Sequence, residues 1–138
     1  MRTLIRDTTI QIGDQQLEYY PYYFGIWDRD EDHRLCVRHT IWQWAAGLRQ
    51  LDDNRQVVHL PYFLDDQWCG CLQATRKKNK VVLRRVEIIE AGYAIDLNDI
   101  SDVMFGDHQY HSEAESDLGE YDRDELIQSF EQAEIVED

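Results

Sequence analysis

Four groups of residues in this chain of 138 residues have types and spacings that could support chemistry. The most compact group is Asp107, His108 and His111, whose carboxylate and imidazoles are ligand types of a transition-metal site. Its surroundings are rich in Asp, Glu, Ser and Gly, a composition typical of a mobile loop that does not hold ligands in fixed geometry. We therefore expect no metal here, and a small metal-binding protein or enzyme built on this group is kept as an alternative.

The second group is Cys69 and Cys71, which point to one face of a strand because they are two residues apart. A zinc site usually takes four nitrogen or sulfur ligands, often from two such pairs, and the chain has only Cys36 besides. We predict two buried core residues, which also disfavours a cysteine nucleophile. Three cysteines, an odd and small number, argue against a disulfide scaffold and for a reducing compartment.

The third group, Asp65 and Asp66, follows an apolar run, and the pair could supply a general acid and a general base. Adjacent carboxylates are expected by chance in a chain with 28 acidic residues. We therefore interpret the pair as turn residues. We predict no catalytic residue and no cofactor in this chain.

The fourth group is Asp28, Asp30 and Asp32, whose alternation is typical of a calcium-binding loop. An EF-hand loop also requires a glycine at its sixth position and a glutamate at its twelfth. Counted from Asp28, these positions hold His33 and His39. The run is therefore predicted to be a solvated loop.

The charge of the chain is strongly negative and unevenly distributed, with a formal net charge of −14. Residues 101–138 contain 13 acidic residues and a single base, Arg123, whereas residues 1–100 are nearly neutral. Phosphate backbones and anionic membranes are bound by Lys and Arg, so neither a nucleic acid nor a membrane is expected as a partner. A basic protein is favoured, because complementary charge speeds and orients its encounter with this chain.

The last quarter of the chain is therefore the candidate surface for such a partner. Some of its acids lie toward the C-terminus of a predicted helix, where they oppose the helix dipole, so helix stability alone does not explain them. The predicted partner-binding residues are Asp107, Glu113, Glu115, Asp117, Glu120, Asp122, Asp124, Glu131 and Glu134.

Three helices are predicted, and the shortest of them is capped by Asp96 or Asn98 and ends at Gly106. Apolar residues recur at spacings of three and four over residues 40–52, which predicts a helix that Thr40 caps. Asp122 and Glu125 form a capping-box pattern, so a C-terminal helix is expected to begin there. Residues 106–121 are rich in Asp, Glu, Ser, Gly and His, and they are predicted to be a mobile acidic loop.

Two β-hairpins are predicted. Strand-forming residues over 3–12 and an aromatic run over 15–24 flank a turn at Gly13. A central hairpin pairs residues 57–75 with residues 81–96 across a short cationic turn. These elements predict an α+β fold with an antiparallel sheet of about four to six strands, and with the helix near residues 40–52 and the C-terminal helix packed on one face. A mostly β, barrel-like domain with terminal helices is the alternative, and either fold would be a single domain over the whole chain.

The cationic turn holds Arg76, Lys77, Lys78 and Lys80, and Asn79 is expected to take its left-handed conformation. A solvated turn that resists edge pairing is one interpretation. Contact with the acidic C-terminal segment of the same molecule is another.

The layout of residues 57–104 resembles that of small bacterial immunity proteins. The resemblance lies in the stretch Leu60–Trp68, the hairpin that follows, and the passage from Tyr93–Asp96 into Ile100–Asp102. Immunity proteins are the partners of polymorphic toxins, including those of contact-dependent growth inhibition systems. The resemblance implies a cytosolic protein that binds and blocks one toxin domain, and it assigns no individual binding residue.

Charge and resemblance together predict an inhibitor of a basic toxin, in particular a nuclease, with no enzymatic activity of its own. A negative surface can occupy a basic active site in the place of phosphate. The same charge allows an alternative, a nucleic-acid mimic that blocks DNA-binding proteins. The N-terminus lacks the apolar run of a signal peptide, and no stretch approaches the ~18–20 apolar residues of a membrane helix, which favours the cytoplasm.

Overall fold

A computed structural model describes residues 1–25, 32–90 and 94–137, and at residues 25 and 112–116 it describes the backbone alone. Within these ranges the strands form two four-stranded sheets. The N-terminal sheet contains β1 (Thr3–Ile5), β2 (Thr9–Ile12), β3 (Gln15–Glu18) and β8 (Glu134–Ile135). The central sheet contains β4 (Val57–Leu64), β5 (Cys69–Lys77), β6 (Lys80–Ile88) and β7 (Tyr110–Asp122). The helices are α1 (Pro21–Gly25), α2 (His33–Arg49), α3 (Ser101–Phe105) and α4 (Arg123–Glu131).

The predicted α+β class is confirmed, with a long helix and a C-terminal helix, but the strands divide between two sheets instead of one. The central sheet is antiparallel throughout, in the order β4-β5-β6-β7. The N-terminal sheet has the order β3-β2-β1-β8, and β8 runs parallel to β1. The two ends of the described chain therefore meet in one sheet, a pairing that no local sequence pattern signals.

The N-terminal hairpin is only partly as predicted. Residues 3–12 form two short strands, joined by a turn in which the Arg6 N–H donates to the Thr9 carbonyl at 2.9 Å. β2 and β3 pair around Gly13, whose φ of 58° suits glycine. The aromatic run leaves the strand and forms α1, which begins at Pro21, because proline suits the first helical position and cannot donate to a strand ladder.

The long helix α2 begins well before its predicted start. Its N-cap is Asp32, whose carboxylate accepts the Arg34 N–H at 2.9 Å. Thr40, predicted to be the cap, is buried inside the helix, and its hydroxyl donates to the Cys36 carbonyl at 3.0 Å. The first two turns contain several basic and histidine side chains, so apolar spacing alone did not reveal them.

The central hairpin is a three-stranded meander. Residues 57–75 divide into β4 and β5 around a turn that contains Asp65, and β6 ends at Ile88, before the predicted end of its strand. In the cationic turn between β5 and β6, the residue with a left-handed φ is Lys78 (61°) and not Asn79. The turn itself lies where the charge pattern placed it.

The prediction of a loop over residues 106–121 is wrong, because most of this segment is β7. Its register with β6 sets Lys80 opposite Asp122, and Arg84 opposite Asp117. Opposite charges at facing positions stabilise a strand pair. Composition alone predicted a loop because the acids were considered without the basic strand that faces them.

The helices α2 and α4 pack on each other at the centre of the molecule. Trp44 of α2 and Phe130 of α4 are fully buried and meet edge to face, with ring centroids 5.3 Å apart. The Trp44 indole N–H donates to the Pro61 carbonyl of β4 at 3.1 Å, so its polar atom is satisfied in the core. The buried hydroxyls of Thr3 and Ser129 form a hydrogen bond that joins β1 to α4. These contacts connect both sheets to the helix pair.

Parts of β4 and β5 in the central sheet are covered on both faces. Residues 58–61 of β4 and 69–72 of β5 are buried consecutively, and successive residues of a strand point to opposite faces. One cover is α3, which packs on β4 with Val103 and Met104 buried. Strands that are covered on both faces have continuous apolar runs, whereas strands covered on one face alternate apolar and polar residues.

Removing the cap of α4 should destabilise the protein. The Asp122 carboxylate accepts the Glu125 N–H at 3.0 Å, as the capping-box pattern predicts. We expect Asp122→Ala to lower the free energy of unfolding by about 1 kcal/mol, measured by urea denaturation. Asp124→Ala is the matched control, since this neighbouring exposed acid should cost only about 0.5 kcal/mol through the helix dipole. Equal losses in the two variants would contradict the capping role.

Candidate functional site

The predicted partner-binding acids lie on several elements, and four of them form ion pairs with bases of the same chain. The pairs are Asp117 with Arg84 (3.0 Å), Glu120 with Lys77 (4.0 Å), Glu131 with Arg49 (2.6 Å) and Glu134 with Arg2 (2.6 Å). Lys77 belongs to the cationic turn and Arg84 follows it, so contact between this basic region and the acidic segment is confirmed. Each exposed pair contributes only about 0.2–1 kcal/mol, but together they compensate charge on this part of the surface.

The other predicted acids differ in their surroundings. Asp122 is committed to capping α4. Asp107 and Asp124 are exposed, and neither forms an ion pair within the described part of the chain. The side chains of Glu113 and Glu115 lie outside the described residues.

A different group of acids carries no compensating base. Its members are exposed, and none forms an ion pair with another described residue. A hydrogen bond from the Ser101 hydroxyl lowers the pKa of Asp99, so this carboxylate is ionised at neutral pH. We call this group the acidic face: Asp96, Asp99, Asp102 and Asp107.

The acidic face is held in place by α2. The Gln43 side chain donates to the Leu97 carbonyl and accepts the Ile100 N–H, both at 2.9 Å. Leu97 and Ile100 are buried, so apolar side chains anchor a segment whose carboxylates face solvent. Of this group, Asp107 was among the predicted partner-binding residues, but Asp96, Asp99 and Asp102 were not. Asp96 and Asp99 fall in the nearly neutral residues 1–100, although residues 90–107 hold five acids and no Lys or Arg.

The residues of the candidate metal group, for which no metal was expected, do not converge. The His108 Nε2 lies 2.6 Å from the Val103 carbonyl, while the His111 ring stacks on Trp68 with centroids 4.0 Å apart. Among the described residues no three or more His, Cys, Asp or Glu side chains are placed to hold a metal ion. Of the acidic run that resembles a calcium loop, Asp28 and Asp30 lie outside the described residues.

The cysteine pair occupies the core, as predicted. Cys69 and Cys71 are fully buried with their sulfur atoms 3.8 Å apart, which confirms that they share a face of β5. Burial raises the pKa of the Cys71 thiol, which disfavours the reactive thiolate. Cys36, Cys69 and Cys71 form no disulfide with one another.

The carboxylates of Asp65 and Asp66 lie in the turn between β4 and β5, as predicted. The Tyr23 hydroxyl donates to the Asp66 carboxylate, and this hydrogen bond raises the pKa of Tyr23 to about 12. The Asp65 carboxylate accepts the Asp66 N–H at 2.7 Å. Both groups therefore have partners that shape the turn and attach it to α1.

A polar cavity of about 670 Å³ lies where α3, β4 and β7 meet. The buried His59 Nε2 is 2.7 Å from the Tyr110 hydroxyl, which also accepts from the Gln73 side chain at 2.9 Å. Burial, with a smaller contribution from His108, lowers the pKa of His59 to about 4. The imidazole is therefore neutral at pH 7, and its Nε2 shares a hydrogen bond with the Tyr110 hydroxyl in a buried polar network.

An aromatic cleft of about 580 Å³ opens between the two sheets. On one side of it the Trp68 ring stacks on His111, whose Nδ1 lies 3.7 Å from the Glu87 carboxylate. On the other side the Arg85 guanidinium donates to the Gln16 carbonyl of β3 at 3.2 Å. Aromatic walls with a few polar groups are typical of binding sites. The residues that define the cleft are Gln16, Glu18, Tyr62, Phe63, Trp68, Gly70, Arg85 and Glu87.

Comparison with known proteins adds no assignment: no family model, no curated protein and no solved structure matches this chain. Within the described ranges, no helix has the length and apolar character needed to cross a membrane. The case for a function therefore depends on the acidic face, the aromatic cleft and the charge of the chain.

Acid should weaken the fold through His59. The pKa of His59 is about 4 in the folded protein, against an ordinary value of 6.5, so the unfolded chain binds the proton more tightly. The free energy of unfolding therefore falls as the pH drops from 6.5 toward 4. We expect the advantage of the wild type over His59→Gln to shrink by about 2 kcal/mol between pH 7 and pH 4.5, with solvent screening included.

Urea denaturation at several pH values measures this change. The matched control is His39→Gln, at an exposed position of α2, whose difference from the wild type should stay nearly constant because solvent surrounds this ring in both states. A constant difference for His59→Gln as well would show that His59 is protonated as easily in the folded protein as in the unfolded chain.

Proposed function

We propose that this protein is an inhibitor of the immunity type, which binds a basic toxin domain and blocks it. The observation that carries the proposal is an excess of carboxylates that the chain cannot neutralise by itself. With 28 acidic residues and 14 Lys and Arg, every internal ion pair uses one group of each sign. The excess of 14 negative charges therefore stays, whatever the fold.

The acidic face supports the proposal because it gathers part of this excess in one exposed segment, without an ion pair to another described residue. Four carboxylates lie within twelve residues of chain, 96–107, and none has a basic partner among the described residues. A field of one sign steers an oppositely charged partner and speeds association. A basic toxin domain that acts on nucleic acid presents such a charge, since it must bind phosphate.

The resemblance of residues 57–104 to immunity proteins is what suggests a toxin as the class of partner. The three cysteines form no disulfide, which fits a reducing compartment, so we place the protein in the cytoplasm, where a toxin that acts on nucleic acid would be blocked. We propose no catalytic role, since Cys69 and Cys71 are buried in the core and His108 and His111 have different structural partners.

The test compares compensated with uncompensated acids in binding to the protein encoded directly upstream. We expect Asp102→Lys with Asp107→Lys to weaken the complex at least tenfold, chiefly through a slower association rate. The matched control is Glu131→Lys with Glu134→Lys, which makes the same change in net charge at two acids already paired with Arg49 and Arg2. This control should weaken binding less than about threefold, as measured by surface plasmon resonance at two salt concentrations.

Three other outcomes would change the conclusion. If the two double variants weaken binding equally, the partner responds to net charge and the acidic face has no special role. If the wild-type protein binds many basic proteins in a salt-sensitive manner, the nucleic-acid mimic is the better description. If no complex forms at low salt and cells carrying the toxin are not protected, the proposal is wrong.

A further inference from the structure

We infer that the aromatic cleft between the two sheets binds an arginine side chain of the partner protein. The inference rests on the proposed function for the identity of that partner, a basic protein. The site itself rests on the geometry and charge of the cleft.

The aromatic walls favour a guanidinium over an ammonium. Tyr62, Phe63 and Trp68 line one cleft of about 580 Å³, which has room for a long side chain. A guanidinium is planar and weakly hydrated and stacks on aromatic faces, whereas the lysine ammonium is compact and strongly hydrated. Partly exposed Trp and Tyr residues in a cleft are also the residue types that dominate binding energy at protein interfaces.

The charges of the cleft favour a cation over an anion. Glu18 and Glu87 lie on its walls against a single base, Arg85, in a chain with a net charge of −14. The Arg85 guanidinium donates to the Gln16 carbonyl at 3.2 Å, which holds it at the β3 side of the cleft. A bound guanidinium would therefore meet Glu87 at the aromatic side and Glu18 at the β3 side, and it would complete the local charge balance.

The backbone of β4 and β5 shapes one wall of this cleft. The register of β4 against β5 shifts between Pro61 and Phe63, so Tyr62 is the extra residue of a β-bulge, a device that redirects a side chain. Opposite the bulge, Gly70 lets Phe63 and the Tyr62 ring pack closely on the β5 backbone, since an added Cβ would clash with the Phe63 Cβ at 2.9 Å. Burial raises the pKa of Tyr62 to about 12, so its hydroxyl stays protonated.

The first experiment measures the affinity for the partner. We expect Trp68→Ala to weaken the complex at least about 30-fold, as truncation of an interface anchor does. The matched control is Trp42→Ala, because Trp42 is 46% exposed and has the Arg38 guanidinium 5.2 Å from its ring centroid, yet it lies outside the cleft. This control should weaken binding less than about threefold. A second variant, Glu18→Gln with Glu87→Gln, tests the site without removing an aromatic ring and should weaken binding at least about tenfold.

The second experiment does not depend on the partner. Nα-acetyl-arginine amide is titrated into the protein at constant ionic strength, and the indole N–H signals are followed by NMR, with Trp68→Ala used to assign Trp68. We expect a saturable shift of the Trp68 signal in the millimolar range, little shift of Trp42, and loss of the effect in the double glutamine variant. Nα-acetyl-lysine amide should shift the Trp68 signal less than one third as far.

The two experiments separate the two proposals. A specific Trp68 shift without any complex would leave the cleft assignment standing and overturn the proposed function. A complex that depends on the acidic face but not on Trp68, Glu18 and Glu87 would support the proposed function and overturn the cleft assignment. Equal shifts for both amino-acid amides, or no shift at Trp68, overturn the inference.

Discussion

The buried indole of Trp44 is the contact on which the arrangement of the other elements depends. Its ring packs on Phe130 of α4, and its N–H donates to the Pro61 carbonyl of β4. An indole N–H buried without an acceptor would cost about 1–3 kcal/mol. The need to keep this hydrogen bond therefore fixes the position of α2 relative to β4. β4 is an edge strand, which is why it tolerates a proline at this point.

This core contact is also close to the aromatic cleft. Pro61 precedes Tyr62, the extra residue of the β-bulge. The Pro61 carbonyl accepts the Trp44 N–H in the core, and the next side chain, that of Tyr62, lines the cleft. Because the Trp44 hydrogen bond ties that piece of backbone to α2, the core sets the position of the cleft wall. Preorganised sites lose less entropy on binding than mobile ones.

The fold also decides where the negative charge of the chain is exposed. Acids are densest in the last quarter of the sequence, but β7 pairs with the strand that holds Lys80 and Arg84, and part of the charge is compensated there. The carboxylates of residues 94–107 have no base among the described residues, so they keep their field. In the proposed complex this acidic face would guide the encounter, and the aromatic cleft would slow dissociation, since charge mainly affects association and buried anchors mainly affect release.

Local features of the chain were readable from its sequence. The shared face of Cys69 and Cys71, the Asp122 cap and the charged turn at residues 76–80 each depend on neighbours within a few residues, and the structure has all three. The α+β class followed from the same local periods. What only the tertiary structure decided were pairings between distant segments: β8 beside β1, β7 beside β6, and the cleft between two sheets. The physical reason is that a strand such as β7 is stabilised by the bases of the strand that faces it. This stabilisation depends on both segments together, so the sequence of either one alone does not predict it.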